Sequence, residues 1–270
     1  MARIDVELVR RGLARSRRQA GELILAGRVA VDGTPVTRAS TTVDDDGDVV
    51  VRTDPADPAY ASRAGHKLAG ALDVWQPRGL VVAGRHCLDA GASTGGFTDV
   101  LLRRGAAHVV ALDVGHDQLL PSLRSDIRVE VREGVNVRDL AAGDVRPAPA
   151  LVVADLSFIS LRLVLGPLAS AAAPGADLVV LVKPQFEVGR ERLGSGGVVR
   201  SAELRRDALR GVLEAAAAVG LTPVDVLRSV LPGPSGNVEY PVWFVAPGGA
   251  DPVDRLAADR IDTVVLEEET

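Results

Sequence analysis

The fold is decided by the stretch HCLDAGASTGGF, residues 86–97. Its first residues are largely apolar and lead to Asp89, as a buried strand would, and its last residues begin a helical pattern. Between them, Gly91 and Gly95 permit a tight turn in which the backbone can approach a bound group closely. A strand, a glycine-rich turn and a helix in this order predict the first unit of a ligand-binding α/β domain.

Outward from this stretch, short β-rich runs alternate with helical runs. Strands are predicted at 86–89, 108–113, 128–131, 150–155, 177–183, 223–230 and 238–245. Helices are predicted near 63–75, 94–104, 117–124, 160–172 and 201–219. This alternation predicts an α/β domain with a doubly wound seven-stranded sheet, and such domains bind ligands at the carboxyl ends of their strands.

The second predicted strand ends at Asp113, 24 residues after Asp89. A carboxylate at this place can accept both hydroxyls of a ribose, which indicates a nucleoside-containing cofactor. The strict dinucleotide pattern Gly-x-Gly-x-x-Gly is absent, because Ser93 stands at its second glycine. The sequence therefore argues against a nicotinamide dinucleotide.

The same turn also matches the Gly-x-Ser-x-Gly nucleophile elbow of hydrolases, with Ser93 as the candidate nucleophile. That chemistry needs a histidine late in the chain. The four histidines are His66, His86, His108 and His116. None follows residue 116, so we interpret Ser93 as a turn residue.

The turn instead resembles the first motif of class I methyltransferases. The resemblance implies S-adenosylmethionine as the cofactor. It implies contacts to that cofactor from Asp89, Gly91, Ser93, Gly95, Asp113, Asn136 and Asp155.

Charged residues stand at the ends of three further strands. Asp155 ends the fourth strand and Lys183 the fifth. In methyltransferase-like sheets the last strand is antiparallel, so its beginning, at Glu239, lies at the same edge. Lys67 lies on the predicted helix near 63–75 and can cover the crevice. We expect these four side chains to meet.

Lys67 and Lys183 are the only lysines, against 29 arginines. A guanidinium stays protonated in proteins, whereas an ammonium can lose its proton. In chain order the four candidates resemble the Lys-Asp-Lys-Glu tetrad of FtsJ-like ribose 2′-O-methyltransferases. The motifs VKPQFE (182–187) and GPSGNVEY (233–240) resemble the TlyA family, which methylates cytidine ribose in ribosomal RNA.

This resemblance gives each lysine a role. A ribose hydroxyl must lose its proton while it attacks the methyl group. An unperturbed lysine has a pKa of about 10.4, and a working base needs about 7–8. The difference of ~2.5 units requires roughly 3.4 kcal/mol of bias against the charged form. We interpret Lys183 as the base and Lys67 as the group that tunes it and orients the hydroxyl, with Asp155 and Glu239 holding both.

Three of the eight aromatic residues lie within three positions of this tetrad, namely Phe158, Phe186 and Tyr240. They either stack on an RNA base that is flipped out of its stack or pack in the protein core. The glycine-rich segment 187–200 carries Arg190, Arg192 and Arg200, and we expect it to be a loop that closes over RNA.

The N-terminal part predicts a separate small domain. Helical spacing covers Ile4 to Arg11 and Ser16 to Ala26, and short strands are predicted at 28–31, around 35–36 and at 49–51. Six arginines cluster about the helices, a spacing suited to RNA phosphates: Arg10, Arg11, Arg15, Arg17, Arg18 and Arg28. The segment resembles the small RNA-binding domain shared by a ribosomal protein, pseudouridine synthases and heat-shock RNA-binding proteins.

Composition sets the remaining expectations. The net charge is −5, yet residues 1–40 carry +4. A single cysteine, Cys87, excludes an internal disulfide and a multi-cysteine zinc site, and fits a reducing compartment. We expect a cytoplasmic monomer without a metal or a membrane segment, with ribosomal RNA and ribosomal subunits as partners.

The expected organisation is an RNA-binding domain (1–52), a linker (53–62), a methyltransferase domain (63–250) and a tail (251–270). Two alternatives stay open. The first, an RNA base amino-methyltransferase, would place Asn/Asp-Pro-Pro-aromatic after the fourth strand, and Asp155-Leu156-Ser157-Phe158 lacks both prolines. The second is a non-catalytic RNA-binding protein. A pore, suggested by the haemolysin label of TlyA-like proteins, finds no support in the hydropathy pattern.

Overall fold

The computed structural model describes residues 2–14, 16–52, 58–249, 256–257 and 259–266, with Arg18, Arg190 and Ser195 described by their backbone alone. The chain divides into two compact units, Met1–Ala59 and Tyr60–Thr270. Of the expected linker 53–62, residues 53–57 lie outside the described part.

The first unit is a small α+β domain. Its elements are β1 (Ala2–Arg3), α1 (Ile4–Arg10), α2 (Arg17–Leu25), β2 (Val29–Val31), β3 (Thr34–Pro35), β4 (Thr42–Val43) and β5 (Val49–Val51). Strand β2 lies between β3 and β5, and β1 pairs with β4. Ser16 caps α2 by accepting the Gln19 amide. Ile4, Leu8 and Ile24 face a common core, as their helical spacing predicted.

The second unit is an α/β domain with one seven-stranded sheet. Its strands are β6 (His86–Ala90), β7 (His108–Asp113), β8 (Val129–Glu133), β9 (Leu151–Ala154), β10 (Asp177–Val182), β11 (Thr222–Val226) and β12 (Tyr240–Val245). The strand order is β11-β12-β10-β9-β6-β7-β8. Strand β12 is antiparallel to both of its neighbours, and the five strands from β10 to β8 are parallel. The structure confirms the predicted seven-stranded sheet and its antiparallel last strand.

Helices cover both faces of the sheet. They are α3 (Ala64–Trp75), α4 (Gly96–Arg103), α5 (Pro121–Arg124), α6 (Leu165–Ala171), α7 (Pro184–Glu187), α8 (Ala202–Ala218) and α9 (Arg260–Leu266). Short 3₁₀ turns lie at Gln76–Arg78, Val137–Asp139, Leu161–Leu163, Arg190–Arg192 and Ser195–Gly197. Successive residues of β6 and β9 pack into the cores on opposite faces of the sheet. Leu88 and Val152 belong to one core, and Cys87 and Val153 belong to the other.

The structure shortens three predicted elements. The helix expected over 117–124 is a single turn that begins at Pro121, and the one over 160–172 starts with a 3₁₀ turn. The strand expected over 223–230 ends at Val226. In the expected tail 251–270, α9 buries Ile261, Val264 and Val265 in the core of the domain. None of the helices in the described part of the chain has both the length and the apolar character needed to cross a bilayer.

Candidate active site

The glycine-rich turn after β6 is shaped by positions that need glycine. Gly91 has φ +85, and a Cβ there would lie 2.9 Å from the carbonyl oxygen of Asp155. Gly95, at φ +96, caps α4, and a Cβ there would lie 2.2 Å from the Leu123 side chain. Ser93 is held at φ +47, a conformation that is uncommon for a residue with a side chain. The two glycines therefore let the turn pack tightly against Asp155 and Leu123, which fixes its shape.

Asp113 is oriented by backbone amides. Its two carboxylate oxygens accept hydrogen bonds from Ser93 N at 2.8 Å and from Gly115 N at 2.7 Å. The Ser93 hydroxyl donates to Gln118 at 3.2 Å, which fits a turn residue. Asn136 is exposed and caps the 3₁₀ turn after β8 by accepting from Arg138 N. The carboxylate of Asp113 is thus fixed at the end of β7, where a ribose can meet it.

Asp89 is fully buried at the end of β6. One oxygen accepts a hydrogen bond of 2.6 Å from the Thr98 hydroxyl, and the other, Oδ1, has no hydrogen-bond partner among the described residues. Burial raises the pKa of this carboxyl to about 7, and the Asp155 and Asp113 carboxylates also raise it. An orphaned carboxyl oxygen below the glycine-rich turn fits a ligand that carries an ammonium group.

The four tetrad candidates form two ion pairs at the carboxyl edge of the sheet. Lys67, on α3, donates to Glu239 at 2.5 Å, and both side chains are buried. The Nζ of Lys183 lies 2.6 Å from Oδ1 of Asp155. The geometry of this contact is not that of a hydrogen bond, so the two groups form an ion pair only.

The sheet register brings the two pairs together. Val182 pairs with Tyr240 across β10 and β12. Lys183 follows Val182, and Glu239 precedes Tyr240, so these two positions are next to each other at the end of the ladder. All four candidates therefore meet at one edge, as their order in the chain predicted.

Two polar residues beside the tetrad were not assigned from the sequence. Ser157 accepts a hydrogen bond of 3.0 Å from Lys183 Nζ. Gln185 donates to Glu239 at 3.4 Å, and thereby links the segment after Lys183 to the other ion pair. Their positions two residues after Asp155 and Lys183 are the only sequence signal that could have indicated them.

The structure separates the three aromatic candidates. Phe158 is 91% exposed at φ +63, and its ring lies 5.3 Å from that of Phe186. Lys183 Nζ lies 5.9 Å from the Phe186 ring centroid. Tyr240 is fully buried in the main core, which agrees with the packing alternative. The two phenylalanines remain candidates for contact with a base.

The arginines of the first unit are organised by two buried carboxylates. Glu7 accepts hydrogen bonds from Arg10 and Arg11, and Asp5 accepts them from Arg17 and from Arg3, which the sequence analysis did not single out. These arginines hold the pKa of Asp5 and of Glu7 at about 2.

The paired arginines differ in what remains available to a ligand. The side chains of Arg3, Arg10 and Arg17 are 50%, 59% and 62% exposed. Arg11 is 22% exposed, and it also donates to the carbonyl of Gly47 at 2.6 Å. It therefore holds the turn before β5.

The other three of the six predicted arginines are Arg28, Arg15 and Arg18. Arg28 donates to the carbonyl of Arg52 at 2.9 Å. Arg15 lies outside the described residues, as does the side chain of Arg18.

Two family models match the sequence. The FtsJ-like methyltransferase model matches residues 60–246, and the S4 domain model matches residues 2–50. The two matches fall in the two compact units of the structure.

Individual relatives match over most of the chain. The 16S/23S rRNA (cytidine-2′-O)-methyltransferase TlyA of Mycobacterium tuberculosis is 55% identical over 90% of this chain and 89% of its own. Hemolysin A of Brachyspira hyodysenteriae is 37% identical over 90% of this chain and 99% of its own. A solved structure from Streptococcus thermophilus, provisionally named a hemolysin, has a TM-score of 0.75 and 36% identity, covering 98% of this chain and 94% of that one.

Proposed function

Because the chain belongs to the FtsJ-like methyltransferase family, we propose that it transfers a methyl group from S-adenosylmethionine to the ribose 2′-hydroxyl of a cytidine in ribosomal RNA. The relative from M. tuberculosis bears a name for this activity. The observation that carries the proposal is the pair of contacts between buried lysines and carboxylates at the carboxyl edge of the sheet. An amine that can exchange a proton there suits an alcohol acceptor.

The glycine-rich turn and its neighbours suit the cofactor. Asp113 would take the ribose hydroxyls, and the orphaned oxygen of Asp89 would face the amino group of the methionine part. Gly91 and Gly95 allow the positive φ values that shape the turn, and Ser93, Asn136 and Asp155 would complete the set of contacts. When bound, S-adenosylmethionine supplies a methyl group on a positively charged sulfur.

The tetrad would act on the ribose hydroxyl. Lys183 takes the proton from the hydroxyl oxygen, and Lys67 orients that oxygen. Lys183 can accept that proton only in its neutral form. Glu239 holds Lys67 by a hydrogen bond. Gln185 and Ser157 hydrogen-bond to Glu239 and Lys183 and so help to fix the positions of the two ion pairs.

The first unit would bind the RNA. Its exposed guanidinium groups on Arg3, Arg10 and Arg17 are fixed by buried carboxylates, so little rotamer freedom remains to be lost on binding phosphates. The partners would be ribosomal RNA within a ribosomal subunit, in the cytoplasm. Because one chain supplies the whole tetrad and the acceptor is activated by an amine, the proposal requires neither a second subunit nor a metal.

The test maps ribose methylation. Ribosomal RNA is taken from cells with and without this protein, and also after incubation of purified subunits with the protein and S-adenosylmethionine. A methylated 2′-oxygen cannot attack its phosphodiester, so we expect a new alkali-resistant linkage after a cytidine. A methylated nucleotide whose linkage still breaks in alkali would indicate a base methyltransferase. RNA binding without any methylation would indicate a non-catalytic protein.

A further inference from the structure

Asn237 is a buried amide that ties together two distant parts of the second unit. It is 3% exposed. Its Oδ1 accepts a hydrogen bond of 2.9 Å from Val199 N, and its Nδ2 donates one of 3.0 Å to the carbonyl of Gly197. Both partners belong to the glycine-rich segment 189–200, which we call the clasp.

The clasp starts a few residues after Lys183 and ends where Asn237 holds it. It leaves the domain at Val188, which directly follows α7 and comes five residues after Lys183. It returns at Val199, which packs with Val188 and Ala208 in a small apolar cluster. Between these points Gly196 and Gly197 have positive φ, so the chain turns back on itself.

Asn237 is also rigidly connected to Glu239. Its carbonyl accepts a hydrogen bond of 2.8 Å from Gly233 N, which closes a turn. Gly233 is packed so closely against Glu239 that a Cβ would lie 2.4 Å from Oε1 of the carboxylate. The backbone carbonyl of Glu239 accepts from Ser229 N at 2.9 Å. The Asn237 side chain thus fastens the clasp to the segment that leads into β12 and contains Glu239, the partner of Lys67.

The clasp presents positive charge to solvent. Arg192 and Arg200 are exposed. The Nε of Arg192 donates a hydrogen bond of 2.7 Å to the carbonyl of Val188, just before the clasp. Its guanidinium is 3.5 Å from the exposed Asp207, a contact that phosphate can replace at little cost. Cations on a segment fastened to the strand end that carries Glu239 suit the phosphodiesters on either side of a reacting ribose.

We propose that Asn237 is a positioning residue that holds the clasp beside the Lys67–Glu239 pair, so that the clasp grips the RNA strand next to the target nucleotide. The inference rests on the proposed function for its ligand. Its structural half, the fastening of the clasp by Asn237, does not depend on that function.

Limited trypsin digestion tests the fastening. Trypsin cuts after arginine, and Arg192 and Arg200 offer sites in the clasp. Loss of both hydrogen bonds in Asn237→Ala should speed cleavage there by roughly tenfold, while Asn237→Asp, which keeps the acceptor for Val199 N, should be intermediate. Arginines outside the clasp serve as the internal control for global unfolding. Unchanged cleavage in the clasp would overturn the proposal, and so would equal acceleration at every site.

Steady-state kinetics on ribosomal subunits test the grip on RNA. Asn237→Ala should raise KM for the subunit by about tenfold and lower kcat less, because the lost contacts are made to the bound strand. Binding of S-adenosylmethionine, measured by calorimetry, should be unchanged. A fall in kcat alone, or loss of cofactor binding, would assign Asn237 to the chemistry instead and overturn the proposal. If the unsubstituted protein methylates no ribose, the proposed function fails while the digestion result stands.

Discussion

The two units of this protein both bury carboxylates beside cations, and they differ in where the cation lies. In the first unit Asp5 and Glu7 are buried, and three of their arginine partners are at least half exposed. In the second unit the cations themselves are buried. The side chains of Lys67 and Glu239 are 7% and 1% exposed, and those of Lys183 and Asp155 are 9% and 15% exposed.

The difference separates two uses of an ion pair. An exposed arginine held by a buried acid keeps its charge and offers its remaining N–H groups to another anion. A lysine held inside the protein can change its protonation state when its surroundings change. The first arrangement suits a binding surface, and the second suits proton transfer.

The largest expected effect comes from Lys183→Arg. The substitution keeps the positive charge but cannot supply a neutral base, so kcat should fall by about 10²–10⁴-fold. Lys67→Arg is the matched control, because Lys67 is proposed to orient the hydroxyl rather than to take its proton, and it should cost only roughly tenfold. Single-turnover methylation of ribosomal subunits gives both rates, and calorimetry checks that the cofactor still binds. Equal losses in the two variants would sink the assignment of Lys183 as the base.

A smaller effect is expected at the exposed arginines. Arg10→Ala should weaken binding to ribosomal RNA and reduce the slope of log affinity against log salt by about 1, since one phosphate contact is lost. Arg210→Ala removes the same charge from α8, where the side chain is 54% exposed, and should leave the slope unchanged. Filter binding over a salt series measures both. The same change in slope for the two variants would mean a general charge effect rather than a defined contact.

The smallest expected effects are changes of folding stability with pH. Rising pH stabilises the first unit and destabilises the second, each over its own pH range. The lowered pKa values of Asp5 and Glu7, about 2, stabilise the first unit above pH ~4.5, and this contribution is lost as pH falls toward 2. The raised pKa of Asp89, about 7, means that its ionisation costs stability as pH rises from ~4 to ~7. Asp89→Asn should remove that second dependence and leave the first.

Each unit can be followed separately. Both tryptophans, Trp75 and Trp243, lie in the second unit, so their fluorescence in a denaturant series reports that unit alone. Hydrogen exchange of peptides from residues 2–52 reports the first. A tryptophan transition that shows the same pH dependence in Asp89→Asn as in the unsubstituted protein would show that Asp89 is not the group responsible.

The sequence predicted the sheet and the edge on which the tetrad meets, because both follow from chain order. Strand ends marked by Asp155 and Lys183 had to lie at one edge of a parallel sheet. The pairing within the tetrad could not be predicted in this way. Lys67 reaches Glu239 across 172 positions, and the choice of partner depends on how α3 packs.

The contacts that the sequence missed share a cause. Ser157 and Gln185 meet partners 26 and 54 positions away, and Asn237 meets partners 38 and 40 positions away, at places set only by the folded backbone. In the first unit the cluster of arginines from 10 to 28 indicated a one-sided positive field. Their partners Asp5 and Glu7 lie before that window, so the sequence did not reveal which guanidinium groups stay exposed.

The burial of Lys67 and Lys183 has a practical consequence for chemical labelling. Since the chain has no other lysine, its surface presents no lysine amine to acylating dyes or cross-linkers. Derivatisation of a lysine would therefore report that one of the two ion pairs had opened to the reagent. The fraction of labelled lysine in a mass spectrum therefore measures how often the reagent reaches the crevice.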